Sequence, residues 1–113
     1  MGDAETTRPE CEEPWIANLN DLVQFAEGGI VSKTLVDCEK ANISLFAMST
    51  GQKMSGHSSR WAATIQVLSG AGKIQVGEIE HEGWPGSLFY MPPRTYHALN
   101  STDNLVFLLN LFK

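Results

Sequence analysis

The chain has 113 residues, enough for one domain with one hydrophobic core and too few for two ordinary domains. Hydrophobic residues at 42% and charged residues at 19% match folded globular proteins and exclude disordered, collagen-like and membrane-embedded classes. The formal charge of −5 is concentrated in residues 1–14, where Asp3, Glu5, Glu10, Glu12 and Glu13 face Arg8 alone. Beyond them Lys33, Lys40, Lys53, Lys73 and Arg94 are scattered, so no basic face for nucleic acid is expected.

The longest apolar run, residues 105–109, is too short to span a bilayer, and no apolar leader opens the sequence. The expectation is a cytoplasmic protein with no nucleic-acid or membrane partner. Cys11 and Cys38 have neither the number nor the spacing of a disulfide framework or a zinc knuckle, and are expected to be solvent-facing thiols. Residues 1–14, with Pro9 and Pro14 around an acidic cluster and no apolar anchor before Trp15, read as a mobile tail, and residues 15–113 as the folded domain.

In chain order, Leu19, Leu22, Val23 and Phe25 recur at helical spacing, Asn18 or Asn20 can cap, and Gly28-Gly29 stops the pattern, predicting one short helix. Everything afterwards reads as strand, at 30–36, 42–48, 62–68, 73–78, 87–91, 97–100 and 105–112. Between these runs stand turn formers, including Ser69-Gly70-Ala71-Gly72, Trp84-Pro85-Gly86 and Ser101-Thr102-Asp103-Asn104. His81 falls at an acidic hairpin tip and is expected at the surface. With no long helix to make βαβ crossovers, the strands pair mostly antiparallel and close into an all-β sandwich or barrel. The last run is apolar at both parities, whereas a strand with one wet face alternates. Its second face is covered by another part of the sheet or by a second copy, and a homodimer is the expectation.

Two stretches carry the chemistry. The first runs from Gly51 through Met54-Ser55-Gly56-His57-Ser58-Ser59 to Gly70, and the second from Gly86 through Met91-Pro92-Pro93-Arg94-Thr95-Tyr96-His97. Gly51 precedes His57 by six residues, Gly86 precedes Pro92 by six, and His97 follows Pro92 by five. These spacings resemble the two motifs of the cupin superfamily, and residues 30–35, 66–70 and 97–99 are similar to those of a subgroup of very small bacterial cupins. The resemblance implies a cupin-type jelly-roll β-barrel (double-stranded β-helix), here with the short N-terminal helix in front.

In metal-binding cupins, three His and one Glu hold Mn, Fe, Ni or Zn with positions left open for substrate. Here Ser59 stands at the second His position, Ala63 at the Glu position, and Arg94 where the second motif has Gly. His57 and His97 would remain as two imidazoles without a carboxylate, at most a weak metal site. The resemblance therefore implies a binder of a small organic molecule in the lumen near His57, Ser59, Gln66, Tyr96 and His97, with Arg94 at the rim able to hold a carboxylate. Two other readings stand beside it: a metal-dependent oxygenase, isomerase or lyase using His57 and His97, and a scaffold whose lumen is filled by side chains. Phe46, Met48, Met54, Trp61, Phe89, Tyr90 and Met91 are expected to be mostly core.

Overall fold

A computed structural model describes residues 11–113. The chain order is β1 (Ile30–Asp37), β2 (Ala41–Met48), β3 (Lys53–His57), β4 (Ala62–Val76), β5 (Ile79–Gly83), β6 (Leu88–Met91) and β7 (His97–Phe112), every pairing antiparallel. β4 and β7, of 15 and 16 residues, are far longer than the other strands, none of which exceeds 8, and they pair along nearly their whole length, from Ala62↔Phe112 to Val76↔His97. Their first and second halves serve different sheets. One sheet reads β1-β2-β7-β4-β6 through residues 105–112 of β7, and the other reads β3-β7-β4-β5 through residues 97–101.

The fold between these halves lies where the sequence predicts turns. Register shifts occur at Val67/Ser69, Ser69/Ala71 and Ala71/Gly72. Gly70 takes φ +78°, and a Cβ there would collide with the backbone carbonyl of Asn104. Residues 69–72 and 101–104 therefore bend two continuous strands instead of ending them, since bulges raise local twist and redirect a strand without breaking it. This joins the predicted runs 62–68 with 73–78, and 97–100 with 105–112.

Alternation sorts the side chains into two clusters. Between the sheets lie Met48, Ala63, Ile65, Val67, Ile74, Met91, Leu99, Leu105 and Phe107, with Phe46 stacked on Phe107 at 4.9 Å between ring centroids. Phe46, Met54 and Phe89 pack against this core, as expected of them, while Tyr90 points outward and is 61% exposed. On the outer face of the first sheet, Leu35, Leu45, Ala47 and Val106 form the second cluster, covered by Leu19, Leu22 and Val23. The N-terminal segment thus covers part of the second apolar face of the final strand.

Two expectations are corrected. The N-terminal helix is a single 3-10 turn, Leu19–Asp21, capped by the Asn18 side chain accepting from the Asn20 N–H at 3.0 Å. Its apolar residues bury one flank on the sheet without needing further turns. Second, Cys11 and Cys38 are not free thiols but a disulfide, with Cα atoms 5.7 Å apart across a separation of 27 residues. The β1–β2 turn holds Cys38 beside the incoming chain, a proximity that spacing alone does not disclose. Cysteine usage therefore gives no support to a cytoplasmic location, since persistent disulfides are rare there. The remainder of the expected mobile tail, residues 1–10, lies outside the described residues. Among the described residues no helix is long and apolar enough to cross a membrane.

Candidate functional site

The two histidines singled out by spacing meet. β3 is the edge strand beside β7, and a register shift between Met54 and His57 turns His57 directly opposite His97. Without that shift, strict alternation from Met54, which packs on the inter-sheet core, would send position 57 to the other face. The rings lie edge to face with centroids 4.5 Å apart. His97 is 5% exposed, whereas His57 is open to solvent, so the pair sits at the mouth of the barrel.

Each imidazole is tied to a carbonyl two residues earlier, Ser55 on β3 and Thr95 in the turn before β7. His57 Nδ1 lies 3.3 Å from the Ser55 oxygen and His97 Nδ1 lies 3.1 Å from the Thr95 oxygen. A carbonyl oxygen only accepts, so Nδ1 donates in both, and in the neutral rings Nε2 keeps its lone pair. Burial pushes the His97 imidazole below its ordinary value; the Thr95 hydrogen bond opposes the shift and the neighbouring His57 charge adds to it. At neutral pH His97 is therefore an uncharged acceptor.

Around the pair, the 92–95 turn closes onto the loop after β3 through the Arg94 N–H, which donates to the Ser59 carbonyl at 2.6 Å. Thr95 Oγ1 donates back to the Pro92 carbonyl at 2.7 Å and fixes the turn. Arg94 has φ +66°, the conformation for which a glycine is the ordinary choice, so the substitution at the motif's Gly position changes the side chain and keeps the backbone path. Its guanidinium is on the surface. Tyr96 lies across Gly56, whose missing side chain makes room for the phenol ring.

Of the predicted residues, His57 and His97 are in contact, and Ser59, Arg94 and Tyr96 belong to the segments framing them. Ser59 Oγ accepts from the Trp61 N–H at 3.0 Å, and Trp61 is flanked by Arg60 and Lys113 at 4.9 and 5.5 Å from its ring centroid. Gln66 is placed elsewhere. It has the opposite parity to Ile65 and Val67, which face the core, and is exposed on the outer face between Leu88 and Leu108. His81 is on the surface, as expected, but stands within β5 opposite Ile74 and not at a hairpin tip, with its ring 5.8 Å from that of Phe89. The carbonyl tethers carry no side-chain signal in the sequence, because every residue supplies a backbone carbonyl.

Among the described residues no three or more His, Cys, Asp or Glu side chains gather where they could hold a metal. Ala63, at the Glu position, is buried in the core between Met91 and Leu111. The donor set does not fit the four-ligand cupin centre. It offers two imidazole Nε2 atoms and no carboxylate.

No family model matches the sequence, and no curated protein matches it. Solved structures do. A conserved protein of unknown function from Streptococcus pyogenes is 27% identical with a TM-score of 0.80, and 89% of each chain is covered. A cupin superfamily protein from Desulfitobacterium hafniense is 21% identical with a TM-score of 0.81, covering 94% of each chain. A cupin 2 conserved barrel domain protein from Leptotrichia buccalis is 31% identical with a TM-score of 0.81 over 86% of this chain, which spans about half of that longer protein, 47%. Two antiparallel sheets sharing two long, folded strands define the class as jelly-roll, double-stranded β-helix proteins. Within that class the chain has the fold of a small cupin.

Proposed function

We propose that this cupin binds a small organic molecule at the mouth of the barrel, through the His57–His97 pair, and that the group it recognises is a hydrogen-bond donor such as a hydroxyl or an amine. One observation carries the reading: both Nδ1 atoms are occupied by backbone carbonyls, which supports two neighbouring Nε2 acceptors. A buried neutral imidazole with a fixed tautomer and no protein partner on Nε2 among the described residues is a preorganised acceptor. The interior beyond the pair is filled by Met48, Ile65, Ile74, Met91 and Phe107, which favours binding at the mouth over binding deep in the lumen. Tyr96 and Arg94 would frame the ligand, with the guanidinium free to meet an anionic substituent at the rim.

The test is an NMR screen of fragment alcohols, amines and carboxylates that follows the Hε1 resonances of His57 and His97. Shifts of both resonances by hydroxyl- or amine-bearing fragments, lost in His97→Ala, are expected. Responses confined to the cleft of about 280 Å³ lined by Lys53, Met54, Lys73, Gln75, Leu99 and Asn100 would overturn the reading.

The same proposal includes a homodimer. On the outer face of the first sheet, the rows Tyr90-Thr64-Asn110 and Leu88-Gln66-Leu108 carry no charge. Leu88 is 65% and Phe112 50% exposed beside them, and the N-terminal segment packs on the other half of the sheet. An uncharged, partly apolar sheet face of this kind is suited to a second copy.

A further inference from the structure

We propose that the Cys11–Cys38 disulfide is a redox latch that holds residues 12–25 as a strap across the outer face of the first sheet, and that its reduction releases the strap while the barrel stays folded. Cys38 lies in the turn between β1 and β2, at the end of the sheet, and Cys11 begins the strap. Among the described residues, residues 12–25 make hydrogen bonds only with one another: Asn20 N–H to Asn18 Oδ1, Asp21 N–H to Asn18 O and Leu22 N–H to Leu19 O. No backbone ladder joins them to a strand. What docks them is the packing of Leu19, Leu22 and Val23 on the Leu35, Leu45, Ala47 and Val106 cluster, and the covalent bond at one end.

That division of labour is what a latch needs. The barrel has its own core between the sheets, to which the strap contributes no residue, so losing the strap leaves that core intact. A segment with few buried contacts and no hydrogen bonds to the rest is at the low-stability end of the molecule. The disulfide opposes its release by closing the loop from Cys11 to Cys38 and confining the strap near its docking face. Cys11 is exposed, so a thiolate can reach the bond. An external dithiol attacks the Cys11 sulfur, the Cys38 thiolate leaves and takes a proton, and the second thiol of the reagent displaces Cys11. The products are two protein thiols and the oxidised cyclic disulfide. Release uncovers Leu45, Ala47 and Val106, so the redox state sets how much apolar surface the barrel shows.

The experiment is hydrogen exchange read by peptide mass spectrometry on the full chain. It compares the oxidised protein, the protein reduced by dithiothreitol and capped with N-ethylmaleimide, and the Cys11→Ser/Cys38→Ser variant. Exchange at Asn20, Asp21 and Leu22 is expected to rise at least tenfold in the reduced and variant forms, with β4 and β7 unchanged, and to return on reoxidation of uncapped protein. Unchanged strap exchange would overturn the proposal, because the side chains alone would then hold it. Loss of protection in β4 and β7 would also overturn it, because the disulfide would then staple the whole fold. So would two free thiols in protein equilibrated with oxidised glutathione.

Discussion

His57 and His97 are register partners on β3 and β7, and their rings touch edge to face at the open end of the barrel. Forty residues separate them in the chain, so the pairing depends on the long strand β7 returning beside the short edge strand β3. Each imidazole is braced by a backbone carbonyl two residues before it, which makes the pair a fixed feature of the fold.

The pH dependence of the pair follows from burial. His97 binds a proton less readily in the native protein than in the unfolded chain, whose histidines titrate near about 6.5. As pH falls through that value the unfolded state gains the proton first, so stability declines toward acid until native His97 is also protonated. Above about pH 7.5 this contribution is complete and flat. Thermal melts from pH 7.5 to 5.5 should show a falling melting temperature, and His97→Gln should flatten that part of the curve. An Hε1 titration midpoint for His97 at or above the unfolded value would contradict the prediction.

Metal binding should be weak. Two neutral imidazoles can hold Mn, Ni or Zn, but two donors and a negative charge are absent relative to the four-ligand cupin set. Calorimetric titration should give an ion readily stripped by chelator. Ser59→His with Ala63→Glu should strengthen binding by orders of magnitude if positions 59 and 63 converge on the pair. Ala63 is buried in the core, so the larger side chain costs about 1–3 kcal/mol in overpacking and more for the buried charge where no metal meets it, and the titration is informative only on variant shown to be folded. Tight binding by the wild type would mean that a further donor completes the site.

The bend residues give a sharper test of the fold. Gly70 combines φ +78° with an approach to the Asn104 backbone that leaves no space for a Cβ, so Gly70→Ala should destabilise by about 2–4 kcal/mol. At about 4–8 °C per kcal/mol this is a large drop in melting temperature. Arg94 is the converse, a non-glycine residue at φ +66°, and Arg94→Gly should leave stability unchanged or raise it by up to about 1 kcal/mol. Arg94→Val, β-branched in the same conformation, should lower it.

These positions also mark what the sequence could disclose. Local pattern disclosed β1, β2, β4, β6 and β7 but not β3 and β5, since Lys53–His57 and Ile79–Gly83 are short edge segments that are mostly polar and include a glycine. It divided β4 and β7 in two, because Ser69-Gly70-Ala71-Gly72 has the composition of a turn whether it ends a strand or bends one. The histidine pair was legible through spacing, whereas its orientation rests on the irregular register after Met54. Gln66 does not face the lumen as expected, because the alternation that sends Ile65 and Val67 inward sends it outward. The disulfide was invisible, since which turn closes beside residue 11 is decided by tertiary structure.

The homodimer can be tested by separating the two faces of β7. Phe107 is buried between the sheets against Phe46, so Phe107→Asp places a charge in the core and should unfold the chain. Leu108 is half-buried on the opposite face, beside exposed Leu88, and Tyr90 stands in the next row. Tyr90→Glu and Leu108→Asp should therefore leave a folded barrel, since an acidic group there stays in contact with water in the monomer. In a dimer built on this face the same group is desolvated opposite its own copy, and like charges brought together without a partner oppose association. Light scattering at micromolar concentration should report twice the chain mass for the wild type and one chain mass for both variants, with unchanged circular dichroism. A monomeric wild type would remove the dimer, and dimeric variants would move the interface to another face of the barrel.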